Sequence, residues 1–163
     1  MELFRNIGNI NMNTENFKDK IETKKGTYGE NIVKKIFMDY GLICYAPQNE
    51  EAHPFDLILI DRNYLRFFFA DIKTKPSRYV RKDTGINYRH YIEYKNFADK
   101  HGIDFYLVFV DENEKRIYGN TFKRLEKTRP LIQDGFIYWK LEDMLKICEL
   151  TDKQVEDLKS FKS

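Results

Sequence analysis

The apolar positions change their spacing several times along the chain, and each change marks an element. Val33, Ile36, Phe37 and Tyr40 recur at helical spacing, which predicts a helix opening at Gly26-Thr27-Tyr28-Gly29-Glu30 and running to about Tyr40. Gly41 stands in its C-terminal capping place. Upstream, the polar stretch Asn6–Lys25 predicts an irregular start and a short helix near Thr14–Glu22, with Thr14 as N-cap. Leu42–Tyr45 reads as a short strand and Pro47–Pro54 as a loop. Phe55–Ile60 and Tyr64–Lys73 are β-rich runs on either side of the turn residues Asp61-Arg62-Asn63, which predicts a hairpin whose second strand stops before Pro76. A basic loop then leads into a helix from about Tyr88 to Lys100. Asp104–Val110 reads as a buried strand, Asp111–Glu114 as a turn, Arg116–Asn120 as a returning strand and Phe136–Lys140 as a late one. Leu141–Glu149 and Asp152–Phe161 are predicted helices, the second capped by Thr151. The order helix, strand, hairpin, helix, strand predicts a mixed α/β fold with a central sheet flanked by helices.

A chain of 163 residues has the size of one domain, with an expected core of about 26–110 and a C-terminal strand and helices over 116–163. Hydrophobic residues make up 42% of it, including 13 Phe and 11 Tyr, enough burial to exclude a disordered chain. The longest apolar stretches, Phe55–Ile60 and Phe67–Ala70, fall far short of the roughly 18–20 residues of a membrane span. No secretory signal is visible at Met1–Arg5. Cys44 and Cys148 are too far apart for a metal-binding pair and too few for a disulfide framework, so they read as buried apolar residues in a reducing cytoplasm.

The net charge is only +2, but it is unevenly spread. Lys73, Lys75, Arg78, Arg81, Lys82, Arg89 and Lys95 face only Asp83 and Glu93 within the segment 73–95, which is therefore +5. Tyr79, Tyr88, Tyr91 and Tyr94 are interleaved with them. Such a stretch suits a phosphate backbone and exposed bases, and equally suits a solvated loop and helix face. Tyr91, Tyr94, Phe97 and Ala98 read as helix core.

Chemistry concentrates at the predicted hairpin. A two-residue loop, Arg62-Asn63, would set Asp56 opposite Phe69, and a four-residue loop, Arg62–Leu65, would set it opposite Asp71. Because side chains alternate with period two, both registers put Asp56, Asp71 and Lys73 on one face. Carboxylates about 4 Å apart repel by on the order of 4 kcal/mol at an effective dielectric near 20. Lys73 offsets part of this, and a divalent cation would offset the rest. All-oxygen ligands favour Mg²⁺, with Mn²⁺ as a substitute. The expected metal ligands are Asp56, Asp71 and the carbonyl of Ile72. Lys73 would orient the attacking water or neutralise charge growing on phosphorus. Glu30, three residues before Val33, lies on the buried stripe of its helix and would hold the metal directly or through water.

At these residues the sequence resembles the PD-(D/E)XK nuclease superfamily. Gly26–Glu30 is similar to its first-helix glycine-plus-glutamate element, Pro54-Phe55-Asp56 to its Pro-Asp element and Asp71-Ile72-Lys73 to its D/E-X-K element. Phe55, between the proline and the aspartate, departs from the pattern. The resemblance covers roughly 26–110 and implies a restriction-endonuclease-like core, αβββαβ. It implies Mg²⁺ on the matching acids, a lysine that assists the nucleophilic water, and a habit of pairing as homodimers.

The expected function is therefore a Mg²⁺-dependent DNA endonuclease, with a Holliday-junction or other branched-DNA resolvase and a phage or mobile-element nuclease as specific forms. Lys75, Arg78, Arg81, Lys82 and Arg89 would contact the DNA backbone, and Lys75 is close enough to share the role of Lys73. The alternatives are a non-catalytic nucleic-acid-binding module on the same fold, and a hydrolase of small phosphate esters. The latter has no use for the basic segment.

Overall fold

A computed structural model describes residues 21–47 and 53–161. The expected helix near Thr14–Glu22 lies outside these residues except for its last two, and most of the Pro47–Pro54 loop lies outside them too. Ile21 and Glu22 already belong to the first helix, α1 (Ile21–Asp39), which starts earlier than the apolar spacing indicates. Its buried stripe is Gly29, Ile32, Val33 and Phe37, whereas Tyr40 lies beyond it and is exposed. Gly41 ends the helix at a φ of 86°, and its N–H donates to the Met38 carbonyl.

Strands β1 (Leu42–Tyr45), β2 (Leu57–Asp61) and β3 (Arg66–Thr74) follow in antiparallel succession. Asp61 pairs with Arg66, so the hairpin loop has four residues, the longer of the two expected registers. Next come β4 (Asp83–Asn87), α2 (Tyr88–His101), β5 (Asp104–Asp111), β6 (Arg116–Thr121) and the short α3 (Phe122–Leu125). The chain continues with β7 (Leu131–Gln133), β8 (Phe136–Lys140), β9 (Leu145–Glu149) and α4 (Asp152–Ser160). A six-stranded sheet runs β1-β2-β3-β5-β6-β9, and β4-β8-β7 form a second, three-stranded sheet. This is a mixed α/β architecture with a mixed sheet flanked by helices, as expected.

The two faces of the large sheet carry separate apolar clusters. Ile32, Val33 and Phe37 of α1 and Val155 and Leu158 of α4 pack on Leu57, Leu59, Ala70, Ile72, Val108 and Val110. On the other face Tyr94 of α2, Phe122 and Leu125 of α3, and Ile86, Ile137 and Trp139 of the small sheet pack on Phe69, Phe105, Leu107 and Phe109. Strands β3 and β5 are thus covered on both sides, which is why Phe67–Ala70 and Phe105–Val110 read as continuous apolar runs. They are also parallel, with β4 and α2 in the crossover between them.

Two expectations are corrected. Leu141–Glu149 is not a helix: a 3₁₀ turn at Leu141–Asp143 is followed by β9, which pairs with β6. Leu141, Met144, Leu145 and Cys148 do fall at helical spacing. The outer edge of β6 has backbone groups that need partners, and that tertiary demand overrides the local pattern. The basic loop Thr74–Asn87 likewise contains a strand. Asp83-Thr84-Gly85-Ile86-Asn87 is rich in residues disfavoured in strands and becomes β4 because β8 pairs with it throughout. The brief α3 and β7 were also not foreseen. By contrast Thr151 caps α4 as expected, in a reciprocal box with Gln154. Cys44 and Cys148 are free thiols, both half-buried. Among the described residues no helix is long and apolar enough to cross a membrane.

Helix α1 approaches β3 closely at Gly29, where a Cβ would lie 1.9 Å from Thr74 Oγ1 and 3.0 Å from Thr74 Cβ. Gly26, one turn earlier, has open space on the same helix. Gly26→Ala is therefore expected to stabilise the protein by about 0.5–1 kcal/mol through helix propensity. Gly29→Ala is expected to destabilise it by about 1–3 kcal/mol through overpacking. Urea-denaturation midpoints moving in the same direction for both would show that the close approach does not constrain α1.

Candidate active site

Strand β3 runs past the start of β2. Leu57 pairs with Ala70, and beyond that point Asp71–Thr74, among the described residues, keep ladder partners only on the β5 side, with Asp71 beside Leu107 and Thr74 beside Val110. Asp56 stands one residue outside the ladder. Its backbone N–H donates to the Ala70 carbonyl at 2.8 Å, and its Oδ2 accepts the Ile72 N–H at 2.6 Å. The side chain thus takes the ladder place that a further residue of β2 would have filled. Pleat alternation would have put Asp56 on the Asp71 face; the structure instead turns its carboxylate to the flank of β3, onto the Ile72 N–H, where the charge of Asp71 still reaches it. A residue's N–H and C=O leave an extended strand on the same side, so the Ile72 carbonyl opens onto the same flank.

Asp71 is 2% exposed, on the α2 face of the sheet. Its Oδ1 accepts two hydrogen bonds, from Lys73 Nζ at 2.8 Å and from the Tyr94 hydroxyl at 2.9 Å. Its Oδ2 is buried and has no hydrogen-bond partner among the described residues. Tyr94 is held in turn by a near-parallel stack on Phe105, with ring centroids 4.9 Å apart. The helical spacing placed Tyr94 in the core, which is where it lies, but its contact with Asp71 was not foreseen. The available signal was a phenol on an otherwise apolar helix face, which seeks a polar partner when buried.

The charges gathered here act on Asp56, Glu30 and Lys73. Burial, then the charge of Asp71, pushes the Asp56 carboxyl up to about 7, against the opposing pull of the Ile72 N–H and the Lys73 ammonium. Burial also raises Glu30, with Lys73 opposing and Asp71 adding to the rise. Glu30 is therefore half-buried within electrostatic reach of the site, as its place on the helix stripe implies. For Lys73, burial would lower the ammonium, but Asp71 foremost, then Asp56 and Glu30, outweigh it and hold it above the ordinary lysine value. Among the described residues no three His, Cys, Asp or Glu side chains are gathered closely enough to hold one ion. Glu30 is tied to the site by charge, through Lys73 and Asp71.

The expected DNA-contacting residues divide into two groups. Lys75 turns inward, donates to the Gly85 carbonyl, and is lowered from the ordinary lysine value by burial and by repulsion from Lys73 and Arg78. Arg78 forms a two-point ion pair with Asp83 and lies over the Tyr138 ring. These two hold the fold together at the edge of the site. Arg81, Lys82 and Arg89 are exposed and contact Gln133, Glu114 and Glu93 respectively. Of these three contacts, only that of Arg81 is to a neutral group.

No family model matches the sequence, and no curated protein sequence matches it. Among solved structures, the chain is similar to Hjc, a Holliday junction resolvase from the archaeal hyperthermophile Archaeoglobus fulgidus, with a TM-score of 0.55 and 14% sequence identity. The match covers 75% of this chain and 96% of that one. At that identity the likeness is one of fold, and it is consistent with a restriction-endonuclease-like architecture.

The strain in the site gives two substitutions of opposite sign. Tyr94→Phe removes a donor from a buried carboxylate and is expected to cost about 1.5–3 kcal/mol. Asp56→Asn keeps an acceptor for the Ile72 N–H and removes a charge facing Asp71, so in metal-free buffer it is expected to raise the urea midpoint. A lowered midpoint for Asp56→Asn would show that carboxylate repulsion does not limit stability.

Proposed function

We propose that this protein is a Mg²⁺-dependent endonuclease that hydrolyses DNA phosphodiesters, with Asp56, Asp71 and the Ile72 carbonyl holding the cation. The observation that carries the reading is the buried, unpartnered Oδ2 of Asp71 beside a second carboxylate. Such an atom is costly to leave unpaired. A hard divalent cation fits a donor set made entirely of oxygen, and the open flank of β3 leaves the Ile72 carbonyl facing it. When bound, the cation would supply Lewis acidity toward the phosphate and charge neutralisation between the two aspartates.

The chain's own residues account for the rest. In the reaction a water oxygen attacks phosphorus, one P–O bond breaks, and the departing oxygen takes a proton to become an alcohol. Lys73, kept protonated by the surrounding carboxylates, acts as a fixed positive charge beside the phosphate rather than as a base. Tyr94 and Lys73 together hold Oδ1 of Asp71, so that Oδ2 keeps one orientation. Glu30 stands at the rim, where its carboxylate orients the attacking water. Arg81, Lys82 and Arg89, exposed on the basic segment that follows Lys73, contact the DNA backbone. The structural likeness to a Holliday junction resolvase supports a DNA substrate and makes branched DNA the first form to test; pairing of two copies would bring two cutting sites to it.

The test is cleavage of supercoiled plasmid and of four-way DNA with Mg²⁺. Asp71→Ala and Lys73→Ala are each expected to lower the rate by about 10²–10³-fold or more. Chelation of the metal is expected to abolish cleavage by the parent protein. If the parent cuts neither DNA, or the variants cut as well as the parent, the assignment is wrong.

A further inference from the structure

Six residues beyond Lys73 the chain makes a tight projecting turn. Arg78 and Asp83 close its base, with an isolated β-bridge, an Arg78 N–H to Asp83 carbonyl bond of 2.8 Å and a two-point side-chain ion pair of 2.6 and 2.7 Å. The Arg78 guanidinium stacks 3.5 Å above the Tyr138 ring. The Lys82 N–H donates to the Arg78 carbonyl, and the Lys82 carbonyl accepts from Leu141. Lys82 itself has a φ of 50°, a backbone cost that persists only where the surroundings enforce it. The turn is therefore built and anchored on both sides.

Its tip is apolar. Tyr79 is 85% and Val80 91% exposed, so neither contributes to the core, and they stand side by side rather than scattered. Arg81 and Lys82 follow immediately, and Lys82 Nζ lies 5.2 Å from the centre of the Tyr79 ring. The tip also cannot be far from the candidate active site, since six residues span at most ~20 Å. That is less than one turn of duplex DNA, roughly 34 Å.

Resting on the nuclease reading above, we propose that the Tyr79-Val80 tip is a wedge that enters DNA where base stacking is already broken. Tyr79 stacks on the exposed base, Val80 fills the gap beside it, and Arg81 and Lys82 hold the flanking phosphates. Apolar side chains inserted between base steps must cover the cost of unstacking them, and that cost is least at a bulge, branch or mismatch. The wedge thus selects interrupted over continuous duplex, and it gives the enzyme a structural preference that Asp56, Asp71 and Lys73 by themselves do not supply. Charge complementarity and closeness to the cutting site favour nucleic acid over a lipid surface as the occupant.

The experiment compares the full-length protein with Tyr79→Ala/Val80→Ala in binding to continuous duplex and to duplex carrying a bulge, with Ca²⁺ replacing Mg²⁺. A 2-aminopurine beside the bulge reports unstacking. The parent is expected to raise the fluorescence. The double variant is expected to lose that rise and to bind bulged DNA about tenfold more weakly, with continuous-duplex affinity and urea midpoint unchanged. Retention of the rise, or an equal loss on both DNAs, overturns the wedge and leaves the nuclease reading intact. Loss of binding to anionic lipid vesicles with no change on DNA assigns the tip to membranes and overturns it as well. A parent that binds neither DNA removes the wedge and the nuclease reading together.

Discussion

The carboxylate of Asp71 is almost fully removed from solvent, and its two oxygens have different fates. Oδ1 is held by Lys73 and Tyr94, while Oδ2 has no partner among the described residues and shares its surroundings with Asp56. Burial of an ion in this way is tolerated only with compensation, and much of the nearby structure supplies it. Lys73 stands two residues along the same strand, Tyr94 is held by its stack on Phe105, and Asp56 is tied to the Ile72 N–H. Removing any one of these leaves the others less well matched, so the site behaves as a unit.

Its location follows from the sheet. Because β3 and β5 are parallel, the chain must cross over between them, and α2 in that crossover delivers Tyr94 onto the Asp71 face. Because β2 starts just after Asp56, the last four residues of β3 have, among the described residues, no strand beside them on one flank. Helix α1 covers the opposite face and can do so only because Gly29 admits Thr74. That approach sets Glu30 near Lys73 and Asp71. Ligand sites at the carboxyl ends of strands are a recurrent solution in open α/β sheets.

The small sheet β4-β8-β7 has a second consequence. It converts a run of basic residues into a shaped surface, with Arg78 and Lys75 used internally and Arg81 and Lys82 turned outward beside Tyr79 and Val80. The same strand pairing explains why Asp83 is buried and ion-paired rather than solvated. A positive segment in sequence thus becomes an anchored turn with an apolar tip, which is a different object from a solvated charge run.

The strongly periodic elements are legible from local signals: α1 and its stop at Gly41, the β2–β3 hairpin, α2, the buried β5 and the capped α4. The sequence also narrowed Asp56, Asp71, Lys73 and Glu30 to one neighbourhood, because apolar alternation and turn residues are local signals that survive in any context. Which hairpin register is used, that Asp56 leaves the ladder, that Tyr94 reaches Asp71, and that 83–87 and 145–149 are strands were decided only by tertiary structure. Each depends on a partner far along the chain: β8 for β4, β6 for β9, and a carboxylate on β3 for a phenol on α2. Short segments with ambiguous periodicity carry too little local preference to choose, and the unpaired backbone group or buried charge that needs them makes the choice.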